Sequence, residues 1–252
     1  SLEDLSPWIN QWSPDERDDF YLQEVWNNSV RDEAKYLFGI MNLAEIMVYR
    51  ADLLDRYRVD PASISQWEGF REAARTMTRD TDGDQLGTSG FDENDVAHYG
   101  YGKWLARNSG AFVMVDALMA TIDGSRALNE DNTANWTSPT GVRAFRMWLE
   151  LMQSGIRSER DLTADLSTSD SYFASGSEAM HHLASFRIGG LRANATFDPS
   201  VIEATSYPGV DGNPASVETN AWYIGMSSQS QHKELAWRLL EMMVSKEGDL
   251  QW

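Results

Sequence analysis

Apolar positions along this chain recur with two periods, one of a helix and one of a strand. Trp67, Phe70, Ala73, Ala74 and Met77 stand at helical spacing behind Ser65-Gln66-Trp67-Glu68, a serine-to-glutamate pattern that reads as a capping box. Ser138-Pro139 places a cap and a first-turn proline before Val142, Phe145, Trp148, Leu149 and Met152, and Gly155 marks the end of that helix. A third helix is expected from about Lys233 through Ala236, Leu239, Leu240 and Met243, with Ser245 capping a shorter one behind it. Short apolar runs predict strands over Tyr36–Met41, Ile46–Tyr49, Ala111–Val115, Ala179–Leu183 and Ala221–Met226. Strands alternating with helices imply an α/β architecture with a largely parallel or mixed sheet. The polar runs Leu128–Asn135 and Ser158–Asp170 read as surface loops.

The segment Ser171–Leu191 combines these signals most densely. A helix end carrying aromatic residues meets a turn around Gly176, then an apolar strand from Ala179, then a helix entered through Ser185-Phe186. It holds no catalytic group, but it sets a ring, Phe186, at a strand-to-helix junction, where open α/β domains place ligand contacts. That favours binding over catalysis.

Length and charge narrow the classes. The 252 residues allow one large or two modest domains, and 42% hydrophobic with 11% aromatic content belongs to a folded protein. No window approaches the roughly 18 apolar residues of a membrane helix. The acidic start Ser1-Leu2-Glu3-Asp4 is unlike a signal peptide, so the chain is either cytosolic or a mature or trimmed product. A net charge of −18, from 39 acidic and 21 basic residues, argues against nucleic acid and anionic lipid as partners. The chain has no cysteine, which removes disulfides, thiolate nucleophiles and thiolate metal sites together.

Catalytic and cofactor signatures are lacking. The four histidines, His98, His181, His182 and His232, show no metal-ligand spacing. His181 and His182 are adjacent in a predicted strand and point to opposite faces, which favours structural roles. No nucleophile elbow or phosphate loop occurs, and Gly100-Tyr101-Gly102 lacks the third glycine of a dinucleotide turn. Asp80-Thr81-Asp82-Gly83-Asp84 begins like a calcium loop, but glycine comes fourth instead of sixth and Phe91 takes the place of the closing glutamate. A solvated acidic turn fits better. No metal and no cofactor is therefore expected.

Aromatic residues remain. Of ten tryptophans, Trp67, Trp148 and Trp237 lie on apolar helix faces and read as core. Trp104, Phe186 and Trp222 stand near predicted element ends, where rings either pack inward or form flat platforms for sugar faces.

Four segments, in order along most of the chain, resemble the extracellular solute-binding proteins of ABC-type sugar importers, the family that includes maltose-binding protein. Phe38-Gly39-Ile40 followed by Val48-Tyr49-Arg50-Ala51-Asp52-Leu53-Leu54 is similar to the family's "YG(I/L)P…YYNKDL", with Met41 in place of proline. Trp67-Glu68-Gly69-Phe70 through Thr78, Asp80 to Asp84 and Gly90-Phe91 resembles "TWDEF…AAKKLTKDTDGDG…YGF". Phe173-Ala174-Ser175-Gly176 with Ala179-Met180 resembles "F..G.AAM". Trp222-Tyr223-Ile224-Gly225, then Lys233-Glu234-Leu235-Ala236-Trp237 and Ser245-Lys246-Glu247-Gly248, resembles "W.I…KE.AW.FL.F..S.EG".

The resemblance implies a periplasmic-binding-protein-like fold: residues 1–41 as the end of a first lobe and crossover, 42–220 as the second lobe, and 221–252 as crossover and return helices. It implies a non-enzymatic, periplasmic or extracellular protein, membrane-anchored at full length. Such a protein binds a sugar or oligosaccharide by lobe closure and delivers it to ABC permease subunits. By position in the family pattern, Phe186 stacks on a sugar ring and Trp222 lines the cleft. Trp104 and Tyr101 contribute further rings, and Asn42 and Glu45 bond hydroxyls. Two rivals stay open. A carbohydrate-active hydrolase would need two carboxylates roughly 5–10 Å apart, and an α/β interaction module would bind no small ligand.

Overall fold

The apolar residues on either side of Asn42 form one strand, β1 (Leu37–Arg50), where two are expected at Tyr36–Met41 and Ile46–Tyr49. No glycine or proline interrupts residues 42–45, and such residues are what would end a strand there. The computed structural model describes residues 1–13, 30–31, 34–103, 105, 110–129, 131–216 and 219–245, with the backbone alone at 30–31, 41–43, 110–111 and 219–221. The chain divides into two units, Ser1–Leu43 with Thr219–Trp252, and Ala44–Glu218.

In the larger unit, β1 continues into helix α1 (Ala51–Arg56), followed by α2 (Trp67–Met77), α3 (Gly110–Asp123), α4 (Pro139–Gln153) and α5 (Leu166–Ala174). Strand β2 (Met180–Ala184), α6 (Ile188–Ala193) and β3 (Ile202–Thr205) complete it. The far half of β1 is central. It pairs antiparallel with β2, from Glu45 opposite Ala184 to Tyr49 opposite Met180, and with β3, from Met47 opposite Thr205 to Arg50 opposite Ile202. Residues 99–102 run parallel beside β2, with bridges Tyr99 to Glu178 and Gly102 to His181, so the sheet is mixed.

Alternation along these strands feeds two cores. Met47, Tyr49 and Met180 join Trp67, Phe70, Tyr101 and Leu118 on one face, while Val48 and Leu183 join Phe173, Leu191 and Ile202 on the other. Helices therefore cover both faces, the layering of an α/β domain. The buried stripe of α2 is Trp67, Phe70, Ala73, Ala74 and Met77, as its period requires.

Three local expectations are corrected. The capping box does not form: Ser65 closes a 3-10 turn (Pro61–Ser65), and its hydroxyl donates to the Ala62 carbonyl at 2.6 Å instead of reaching α2. Ala111–Val115 is helix, because apolar residues resume after Asp116 and continue to Ala120, giving α3 a 14-residue length too long for a strand of that kind. Ser158–Asp170 is not a surface loop but contains a 3-10 turn (Glu159–Leu162) and the first turns of α5, with Asp161 and Ser169 buried. Ser138, by contrast, accepts from Gly141 N–H at 3.1 Å and caps α4, and Gly155 follows that helix at φ +75°.

The smaller unit joins the start of β1 to β4 (Thr219–Gly225), with helix α7 (Lys233–Val244) and a helical turn, Ser6–Ile9. Its core is Leu5, Ile9, Phe38, Met226, Trp237 and Leu240, with Trp8 stacked on Trp237 at 5.7 Å between centroids. Among the described residues, no helix is long and apolar enough to cross a membrane.

Candidate functional site

Strand β2 leaves the sheet at Ala184, opposite Glu45, and turns through a 3-10 segment (Ser185–Arg187) into α6. Ser185 Oγ accepts from Ala44 N–H at 3.3 Å, tying that turn to β1. Phe186 lies at its middle with 47% of its surface exposed. Beside it opens a cavity of about 560 Å³, lined among others by Ser167, Asp170 and Ser171 of α5, Arg187 and Asn194. An aromatic ring, a carboxylate, a guanidinium, hydroxyls and an amide thus share one concavity.

Charge around β2 is held in pairs on both faces of the strand. His182 Nε2 lies 2.6 Å from Glu45 Oε2. Burial pushes the His182 imidazole down to about 4, helped by nearby Lys103 and opposed by Glu45, so the ring is neutral and donates to an ionised carboxylate. Burial works to raise Glu45, but the His182 hydrogen bond and Lys103 outweigh it and hold the carboxyl below its usual range. On the opposite face of β2, His181 stands between Glu178 and Asp170, and Arg187 donates to Asp170 at 2.7 Å.

The sequence-derived candidates belong to both units. Phe186 and Glu45 lie at adjoining strand ends of the larger unit. Tyr101 does not present a ring to solute: it is 1% exposed, with its ring edge-on to Phe70 at 5.0 Å between centroids, and belongs to the core. Trp222 belongs to the smaller unit, on β4, and is 56% exposed. Trp104 and the side chain of Asn42 lie outside the described residues. Of the core tryptophans, Trp67 and Trp237 are buried and Trp148 is partly so. In the acidic turn, both Asp80 oxygens accept backbone N–H groups, from Asp84 at 2.7 Å and Asp92 at 2.9 Å, so the carboxylate braces the turn.

Asp170, Arg187 and Glu178 escaped the sequence reading. They are spread over residues 170–187 in three different elements, and in so acidic a chain no spacing distinguishes them. His181 and His182 do point to opposite faces, as alternation requires, but each carries an ionic partner that only the tertiary fold supplies.

The family model of the bacterial extracellular solute-binding protein matches residues 2–249. The chain belongs to that family. It is a family of binding proteins, not enzymes.

Solved structures share the fold of this solute-binding protein at low identity. An ABC transporter solute-binding protein from Thermotoga lettingae bound with α-D-tagatose is 18% identical with a TM-score of 0.80, covering 100% of this chain and 59% of its own. Maltose-bound MalE3 of T. maritima is 17% identical with a TM-score of 0.79, covering 99% and 59%. Lmo0181 from Listeria monocytogenes, in complex with cycloalternan, is 21% identical with a TM-score of 0.74, covering 98% and 57%. The chain thus spans less than two thirds of the structures it matches. Among curated proteins, none matches the sequence significantly.

Proposed function

We propose that this chain belongs to the extracytoplasmic substrate-binding component of a carbohydrate ABC importer. It binds a neutral sugar or oligosaccharide by lobe closure, with residues 42–220 as the second lobe. The observation that carries the reading is Phe186, a half-exposed ring at a strand-to-helix junction over a cavity of hydroxyls, an amide and one ion pair. Among the described residues, Asp170 and Arg187 are the only charged ones lining that cavity and they neutralise each other, which favours an uncharged solute. The net charge of −18 repels anionic ones as well.

Phe186 stacks on a sugar ring in this reading. Glu45, held ionised, accepts from a hydroxyl, and Trp222 and Trp104 supply further aromatic surface. Asn42 bonds another hydroxyl. The protein works in the periplasm or outside the cell, anchored to the membrane at full length, and hands its solute to the permease subunits.

Thermal unfolding of the full-length protein against a panel of neutral mono- and oligosaccharides, with tagatose, maltose and cycloalternan among them, tests this. A true ligand at about a hundred times its Kd adds about 2.7 kcal/mol of stability. No stabilisation by any saccharide, or turnover of one, would reject it.

A further inference from the structure

Four charged side chains run from the interior of the larger unit to the cavity wall. At the inner end Glu178 is 0% exposed, and its carboxylate occupies space that Gly102 leaves open: a Cβ at 102 would stand 2.0 Å from it. His181 Nδ1 lies 2.7 Å from Glu178 Oε2, and His181 Nε2 lies 3.3 Å from Asp170 Oδ1. The other Asp170 oxygen accepts from Arg187 Nε at 2.7 Å, with Nη2 also at 2.7 Å. Carboxylate oxygens only accept hydrogen bonds, so an imidazole with a carboxylate on each ring nitrogen donates from both. Anion, cation, anion and cation then alternate, and the four sum to zero. Alternation of this kind lets charges be buried together at a cost that none would survive alone.

We propose that His181 is a positioning residue for the solute-contact wall. Acting through Asp170, it sets the direction in which Arg187 presents its remaining guanidinium donors to the cavity beside Phe186. This rests on the reading that the cavity takes a sugar. Arg187 is half-buried where it lines the cavity, immediately after Phe186 in the chain, so its orientation and that of the ring are linked by one turn of backbone.

Several other charges face the imidazole. Asp161, on the 3-10 turn before α5, interacts with both His181 and Glu178, and Arg157 lies 3.8 Å from Asp161. Lys103 follows the segment that runs parallel to β2, and His182, bonded to Glu45, occupies the other face of the strand. Burial disfavours a charged His181, but Glu178 and Asp170 outweigh it and keep the ring protonated up to about 9.

The test is nuclear magnetic resonance of histidine and arginine nitrogens in the full chain, titrated from about pH 6 to about pH 10. Wild type is compared with His181→Gln and Asp170→Asn, and saccharide affinity is measured alongside, with Phe186→Ala as the site control. Both His181 nitrogens are expected to carry protons at neutral pH. The Arg187 Nε–H resonance is expected to leave its hydrogen-bonded position when His181 deprotonates or is replaced. Saccharide affinity should fall about threefold or more in a folded His181→Gln. An Arg187 resonance that does not move, or an affinity unchanged in His181→Gln while Phe186→Ala weakens it, would overturn the proposal. If His181→Gln does not fold, Asp170→Asn and the wild-type titration give the same readout. An affinity unchanged in Phe186→Ala rejects the sugar reading instead, and the Arg187 resonance still decides whether His181 orients it.

Discussion

Replacing Phe186 by alanine isolates the contribution of one ring to solute binding. A phenylalanine side chain offers on the order of 200 Å², and 47% of Phe186 is exposed, leaving roughly 90 Å² for a sugar to cover. At about 25 cal/mol per Å² that is about 2 kcal/mol, or roughly 30-fold in Kd. Coverage of one ring face only would halve the energy and leave roughly a fivefold effect. The measurement is calorimetric titration of the best saccharide from the panel into wild type and Phe186→Ala. The packed half of the ring, roughly 100 Å², is lost as well, so unfolding without ligand should also shift by about 2–3 kcal/mol, and the titration is run where both proteins are folded. Phe186→Leu separates area from ring geometry, because leucine keeps apolar surface but loses the flat face, worth about 0.5–1.5 kcal/mol beyond area. A Kd for Phe186→Ala within about twofold of wild type, with an unchanged circular dichroism spectrum, would refute the stacking argument.

Three further outcomes follow from the packing. Gly102→Ala drives a methyl group into the Glu178 carboxylate and should destabilise the protein by about 1–3 kcal/mol or more, read as a fall in the urea midpoint. Glu45→Ala leaves His182 with neither ring nitrogen bonded, since Nδ1 has no partner among the described residues, and should cost about 1–3 kcal/mol in the same assay. His181 binds its proton more tightly folded than unfolded, its value rising from 6.5 to about 9, so its stabilisation is complete below about pH 6.5 and is lost as pH rises through about 9. Urea midpoints across that window should fall more steeply for wild type than for His181→Gln. The comparison cancels Lys35, whose ammonium burial pushes down to about 7 and which acts in the opposite sense.

Much of the fold was legible because it rests on local periodicity. The stripe of α2, the serine cap and proline of α4, and the strand after Gly176 each depend on residues close in sequence, and each forms close to its expected limits. Errors arose where local signals were degenerate. A five-residue apolar window at Ala111 is the same whether it belongs to a strand or to the middle of a helix that is apolar on most sides, and α3 is of the second kind. At Ser65 the motif was present, but the preceding proline turn had already engaged the hydroxyl.

Legibility of the site follows from the same distinction, taken one step further. Phe186 could be singled out because a strand-to-helix junction is a local pattern, and such a junction necessarily delivers its middle residue to the end of a sheet. Tyr101 sits in an equally plausible glycine-flanked loop, yet that segment runs alongside β2 and its ring is drawn into the core. Only a contact with a strand some eighty residues away decides between the two. The charges behave likewise. Asp170, His181 and Arg187 meet because α5, β2 and the turn into α6 converge, and each would be an isolated, costly buried charge without the others. Convergence of this kind is invisible to spacing. A zero-sum set of buried ions beside an exposed ring is therefore something only the tertiary fold assembles, and the proposed solute-contact wall rests on that convergence and not on any single motif.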